Sequence, residues 1–134
     1  MTKKELAFEK RARNYNCCQA VACAFAQEAG VPEEVIFKAC EGFGAGMGCM
    51  DGTCGAIAGA VMLAGFKYSD GCLSDPKTKT STYKYTSQIM QRFQKKNGST
   101  ICRELKGVDT GNPLRSCPGC LEDAIELAQE ILEL

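Results

Sequence analysis

Apolar residues recur every three to four positions along most of the chain, and glycine, proline and small polar residues cut that pattern into helix-length pieces. Thr2 followed three residues later by Glu5 is a capping box, so a first helix is predicted over about residues 3–13. Asn16 caps a second helix that opens Cys17-Cys18-Gln19-Ala20-Val21 and closes at Gly30, where glycine accepts the left-handed turn. Pro32 opens a third, with Val35, Ile36 and Ala39 on one face, and the glycines between Gly42 and Gly48 end it. A fourth is predicted over about 53–68. There Gly55, Gly59, Ala60 and Ala64 leave one face without bulky side chains, so a second backbone can approach closely and the helix is expected to be central.

After a polar loop at 69–76, Tyr83, Thr86, Ile89, Met90 and Phe93 lie at helical spacing over 79–96, with Tyr83 expected to face the core. Residues 99–105 read as a short helix bearing Cys102. Ser116 caps the last helix, Pro118 sits in its first turn, and Leu121, Ile125, Leu127, Ala128, Ile131 and Leu132 supply its apolar face. No segment alternates as a strand, so the pattern predicts an all-α fold, a single compact bundle of five or six helices spanning residues 1–134.

Composition changes this picture in one respect. The chain has ten cysteines, no histidine and no tryptophan. At 134 residues a hydrophobic core suffices without disulfides, so the sulfur calls for another explanation. Met1-Thr2-Lys3-Lys4-Glu5-Leu6 lacks the apolar run of a secretory signal, which points to a cytoplasmic protein with reduced thiols. The longest apolar stretch, 54–66, falls short of the ~20 residues that cross a bilayer, so no membrane span is expected. Sixteen basic residues balance sixteen acidic ones, which argues against a nucleic-acid partner. Gly44-Ala45-Gly46-Met47-Gly48 lacks the preceding strand of a dinucleotide loop, and Glu33-Glu34 and Glu122-Asp123 sit where carboxylates complement helix dipoles.

Cys117-Pro118-Gly119-Cys120 has dithiol spacing at a helix start, where free N–H groups favour thiolate. Cys54 lies at another helix start, and Cys17 in the first turn of the second helix. Cys49 is near enough in sequence to pair with Cys54, although the glycine-rich connection could hold them apart. Cys23 and Cys40, within apolar helices, read as packing residues. Taken in order, Asn16-Cys17-Cys18-Gln19-Ala20-Val21, the glycine run 42–48, Cys54-Gly55-Ala56-Ile57-Ala58-Gly59 and Cys102-Arg103-Glu104-Leu105 resemble the C_GCAxxG_C_C family, whose members are described as redox-active. The resemblance runs from about Lys10 to the C-terminus. It implies four functional cysteines, Cys17, Cys54, Cys102 and Cys120, with Cys117 the competing choice for the fourth.

Three readings follow. In the first, these thiols perform thiol–disulfide or electron-transfer chemistry, with Cys117 available to resolve a mixed disulfide; the enzymatic form would be a thiol-based oxidoreductase whose partner is a redox protein or a small thiol, and no cofactor is required. In the second, the same four cysteines hold zinc or an iron–sulfur cluster. In the third, the chain is a helical interaction module with buried structural cysteines.

Overall fold

The computed structural model describes all 134 residues. Eight α-helices follow one another: α1 (Lys3–Ala12), α2 (Cys17–Cys23), α3 (Ala26–Ala29), α4 (Glu33–Cys40), α5 (Gly55–Tyr68), α6 (Lys79–Asn97), α7 (Cys102–Lys106) and α8 (Cys117–Leu132). There is no β-strand, only an isolated antiparallel bridge between Thr53 and Ile101. The expected five or six helices become eight partly because the stretch before Gly30 breaks at Ala24 and Phe25, giving α2 and a single turn, α3.

Local chemistry sets the helix starts. Thr2 Oγ1 accepts from Glu5 N at 3.1 Å, and the Glu5 carboxylate returns to Thr2 N. Asn16 and Gln19 form a second such box, at 2.9 and 2.8 Å, and the Gln19 amide also donates to the Phe37 carbonyl, tying α2 to α4. Ser116 caps α8 through Gly119 N at 3.1 Å. Each box satisfies backbone donors that would otherwise be left open at a helix start.

Helix α5 is the centre of the packing and touches α2, α6 and α8. Its small-residue face does meet another backbone. A Cβ at Gly59 would lie 2.8 Å from the Cys18 carbonyl oxygen and 3.0 Å from Val21 Cβ, so glycine is what lets α2 approach. Gly59→Ala is accordingly expected to cost about 1–3 kcal/mol, read as a lowered urea midpoint with unchanged m. The main core runs through Val21, Phe25, Ile57, Leu63, Phe93 and Ile125. Helix α2 is buried from Cys18 to Cys23 because α4 covers its other side, where Cys18, Ala22, Cys23, Ile36 and Cys40 form a second cluster.

Two expected faces are rotated. On α4 the buried residues are Ile36 and Cys40, whereas Val35 and Ala39 are exposed, because α2 meets only the side that also carries Phe37. On α6, Tyr83 is 60% exposed rather than in the core. Its place is taken by Tyr85, which stacks on Tyr68 of α5 with centroids 3.7 Å apart and planes at 2°. From there Ile89 and Phe93 continue the buried face at intervals of four. No helix is long and apolar enough to cross a membrane.

Candidate functional site

Cys17, Cys54, Cys102, Cys117 and Cys120 all line one pocket of about 140 Å³. These are the five cysteines that the sequence singled out, and they come from four segments that are distant along the chain. Cys17 is the first residue of α2, Cys54 caps α5, and Cys102 and Cys117 are the first residues of α7 and α8. Cys120 follows one turn into α8. Four helix starts therefore converge on the sulfur.

The segment 44–52 assembles this convergence. It contains one irregular turn, and Ala45 (φ 51°), Met47 (φ 66°) and Met50 (φ 67°) adopt the left-handed region, which costs roughly 1 kcal/mol or more at each non-glycine residue. Backbone hydrogen bonds offset that cost. Cys102 N donates to Gly52 O at 3.0 Å, Arg103 N to Met50 O at 2.7 Å, and Cys54 N to Thr100 O at 2.8 Å. The Arg103 guanidinium also reaches Asp51 at 2.8 Å. At Gly46 (φ 57°) the backbone runs so close to Cys102 Cβ that no side chain would fit. The glycine run thus delivers Cys102 to the pocket, and it carries Cys49 away: Cys49 is exposed, its thiol turned to Gly46 O at 3.8 Å, so it does not pair with Cys54.

The five sulfurs are electrostatically unequal. Cys54 and Cys120 line the pocket together, and the neighbouring Cys120 thiol, the largest influence on Cys54, holds its pKa down to about 7. Burial opposes this, whereas the backbone N–H groups of Ile57 and Ala56 and the Lys106 ammonium reinforce it. Cys120 is pushed well above the ordinary thiol range, first by its interaction with the Cys54 sulfur and then by burial. Cys17 and Cys102 are raised, chiefly by burial. The helix start favours thiolate across the dithiol motif, but Cys120 itself is raised, and of the Cys54–Cys120 pair it is Cys54 that is lowered.

Cations surround the pocket that the sequence reading did not single out. Arg11, Lys106 and Arg115 line it, together with Asn16, Ala45, Gly55 and Leu105, and no carboxylate does. Arg115 is held in a fork by Asp123, both bonds at 3.1 Å, and packs over Gly119, where a Cβ would lie 2.5 Å from its Nε. Asp123 is almost fully buried and also accepts from Lys96 at 2.6 Å and from Asn97 at 3.1 Å. Lys106 had a signal in the sequence: it stands four residues after Cys102, on the same helical face.

The remaining sulfur lies elsewhere. Cys18 and Cys40 are fully buried and face each other between α2 and α4, with Cys40 Sγ 3.2 Å from Met62 Sδ. Burial, first among the causes, pushes the Cys23 thiol up to about 12. Cys23 and Cys40 sit in the apolar cluster between α2 and α4 as packing residues do. Cys72 is exposed in the loop before α6. All ten cysteines are free thiols, and no three His, Cys, Asp or Glu side chains are gathered as a ligand set for a metal ion. The pocket's donors do not fit zinc or a cluster in this arrangement.

The family model described as "Putative redox-active protein (C_GCAxxG_C_C)" matches residues 15–131. The chain belongs to this family. No curated protein and no solved structure matches it. The match begins just before Cys17 and ends in the last turn of α8, so it takes in every cysteine of the pocket. The C_GCAxxG_C_C name writes its central string Gly-Cys-Ala, whereas this chain reads Cys54-Gly55-Ala56-Ile57-Ala58-Gly59. That order puts sulfur at the helix cap and a glycine at the first helical residue, beside Cys17.

Proposed function

We propose that this protein performs thiol–disulfide exchange through Cys54 and Cys120. The observation that carries the reading is the pairing itself. Cys54, whose pKa the neighbouring Cys120 thiol holds down to about 7, shares one pocket with Cys120, Cys17, Cys102 and Cys117. A thiol whose pKa lies near ambient pH combines a large thiolate fraction with retained nucleophilicity.

In this scheme the Cys54 thiolate attacks one sulfur of a disulfide R–S–S–R. The Cys54–S bond forms as the S–S bond breaks, and R–S⁻ leaves. The proton of Cys120 passes to the departing thiolate as the Cys120 sulfur attacks Cys54 and expels the second R–S⁻, which takes a proton from water. Two protein thiols are oxidised to one cystine and one disulfide is reduced to two thiols. Cys117, one helical turn before Cys120, can take over resolution, and Cys17 and Cys102 stand where the disulfide could be handed on. A small thiol or a redox protein closes the cycle.

Incubation in graded glutathione buffers, followed by differential alkylation and peptide mapping, tests the reading. The expected result is one two-electron couple assigned to Cys54 and Cys120, titrating above about −300 mV, the level below which structural disulfides lie. A thiol count that never changes across the series removes the proposal.

A further inference from the structure

The cations of the pocket differ in whether they are neutralised. Arg115 is matched by Asp123. Arg11 and Lys106 take part in none of the chain's ion pairs. The Arg11 side chain makes a single hydrogen bond, to the Tyr15 carbonyl at 2.7 Å, and the Lys106 side chain makes none. Lys106 is only partly exposed, and its charge is felt by Cys17, Cys54 and Cys102 alike, which places the ammonium among the sulfurs. No carboxylate lines the pocket, so the only anion that Lys106 and Arg11 can meet there is the Cys54 thiolate, and two cations stand beside it with charge to spare for a ligand. The chain as a whole is neutral, so this excess of positive charge belongs to the pocket.

We infer that the pocket selects anionic substrates, small disulfides that bear carboxylates, with Lys106 and Arg11 receiving the negative charge beside Cys54. This rests on the thiol-exchange reading for the reaction, and on the cations alone for the selectivity. A carboxylate on the leaving half is drawn to Lys106 while the disulfide lies against Cys54. The same ammonium then faces the R–S⁻ produced, so the group that binds the substrate also stabilises the departing charge. Arg11, at the exposed rim, serves the approach more than the reaction. At an effective permittivity of about 20, one unpaired cation a few ångströms from an anion changes a rate or affinity by roughly tenfold or more.

Two pairs of probes separate charge selectivity from exchange chemistry. The first pair is iodoacetate and iodoacetamide, which alkylate the same thiolate and differ in charge, so their rate ratio at Cys54 is independent of the thiolate fraction. That ratio is expected to stand about tenfold above its value for free cysteine. It falls to within about twofold of the free-cysteine value in Lys106→Gln, survives in Lys106→Arg, and is unchanged in Lys84→Gln on the exposed face of α6. A wild-type ratio equal to that of free cysteine, or one that Lys106→Gln leaves intact, overturns the inference. The second pair is dithiodiglycolate and the neutral 2-hydroxyethyl disulfide, with the first expected to oxidise Cys54 and Cys120 about tenfold faster. If neither disulfide oxidises the pair while the alkylation ratio holds, disulfide is not the substrate and the thiol-exchange reading falls, although the anion preference stands.

Discussion

Alkylation of Cys54 by iodoacetamide is expected to follow a midpoint near pH 7, so that about half of Cys54 is thiolate there, against about 3% for an ordinary thiol of pKa 8.5. The depression has one dominant source, the thiol of Cys120, and the next cause in size, burial, acts in the opposite direction. Cys120→Ala removes that influence and leaves burial in place. Its expected result is an upward move of the Cys54 midpoint past 8.5, with the pH 7 rate falling at least about fifteenfold. Lys106→Gln moves the midpoint in the same direction by less, since Lys106 ranks behind the backbone donors Ile57 and Ala56. Peptide-resolved rates keep the exposed Cys49 and Cys72 apart from the pocket. A Cys54 midpoint that stays put in Cys120→Ala would show that the two sulfurs do not interact, and the exchange scheme would lose its resolving thiol.

The helix starts were legible because their chemistry is local. Thr2 with Glu5, Asn16 before Cys17 and Ser116 before Pro118 each act within one turn, so sequence spacing and structure agree. The close approach at Gly59 was legible as well, since a face built from Gly55, Gly59 and Ala60 has few other uses in a water-filled surrounding. What a helix turns toward its neighbours was less so. Tyr83 and Tyr85 are two residues apart on α6, and periodicity admits either; the stack of Tyr85 on Tyr68 decides, and that partner comes from another helix. Val35 and Ile36 pose the same ambiguity, settled by where α2 lies.

The site divides along the same line. The five cysteines could be named from motif order, because each stands at or just inside a helix start, where sequence signals are strongest. Which sulfur ionises could not. A helix N-terminus favours thiolate at Cys54 and around Cys117 and Cys120 alike, and only the meeting of α5 with α8 lowers Cys54 and raises Cys120. Arg11 and Arg115 escaped notice for a related reason. They belong to α1 and to the turn before α8, and nothing local marks them as neighbours of one pocket.

Asp123→Ala is expected to destabilise the fold by about 3 kcal/mol at pH 7, at the low end of the cost of removing one partner from a buried ion pair, because Arg115 and Lys96 retain access to water. For a domain of this size that is roughly a 10 °C loss in Tm. Asp123 is 2% exposed, and burial alone would raise its pKa. The fork from Arg115, with Lys96 and Asn97, overcomes that and holds the carboxyl below its ordinary value. The folded-state pKa therefore lies under the unfolded one, so the contribution is fully present above the unfolded value of about 3.9 and is lost as pH falls through the folded value. Wild-type stability should accordingly decline below about pH 4 more steeply than that of Asp123→Asn, and the two urea midpoints should draw together as the carboxyl protonates. The substitution also releases Arg115 from its place over Gly119, beside Cys120. A freed guanidinium adds a third uncompensated cation to the pocket, so the iodoacetate-to-iodoacetamide ratio at Cys54 should rise even as the fold weakens. Parallel acid limbs for wild type and Asp123→Asn would mean that the buried carboxylate does not hold this end of α8.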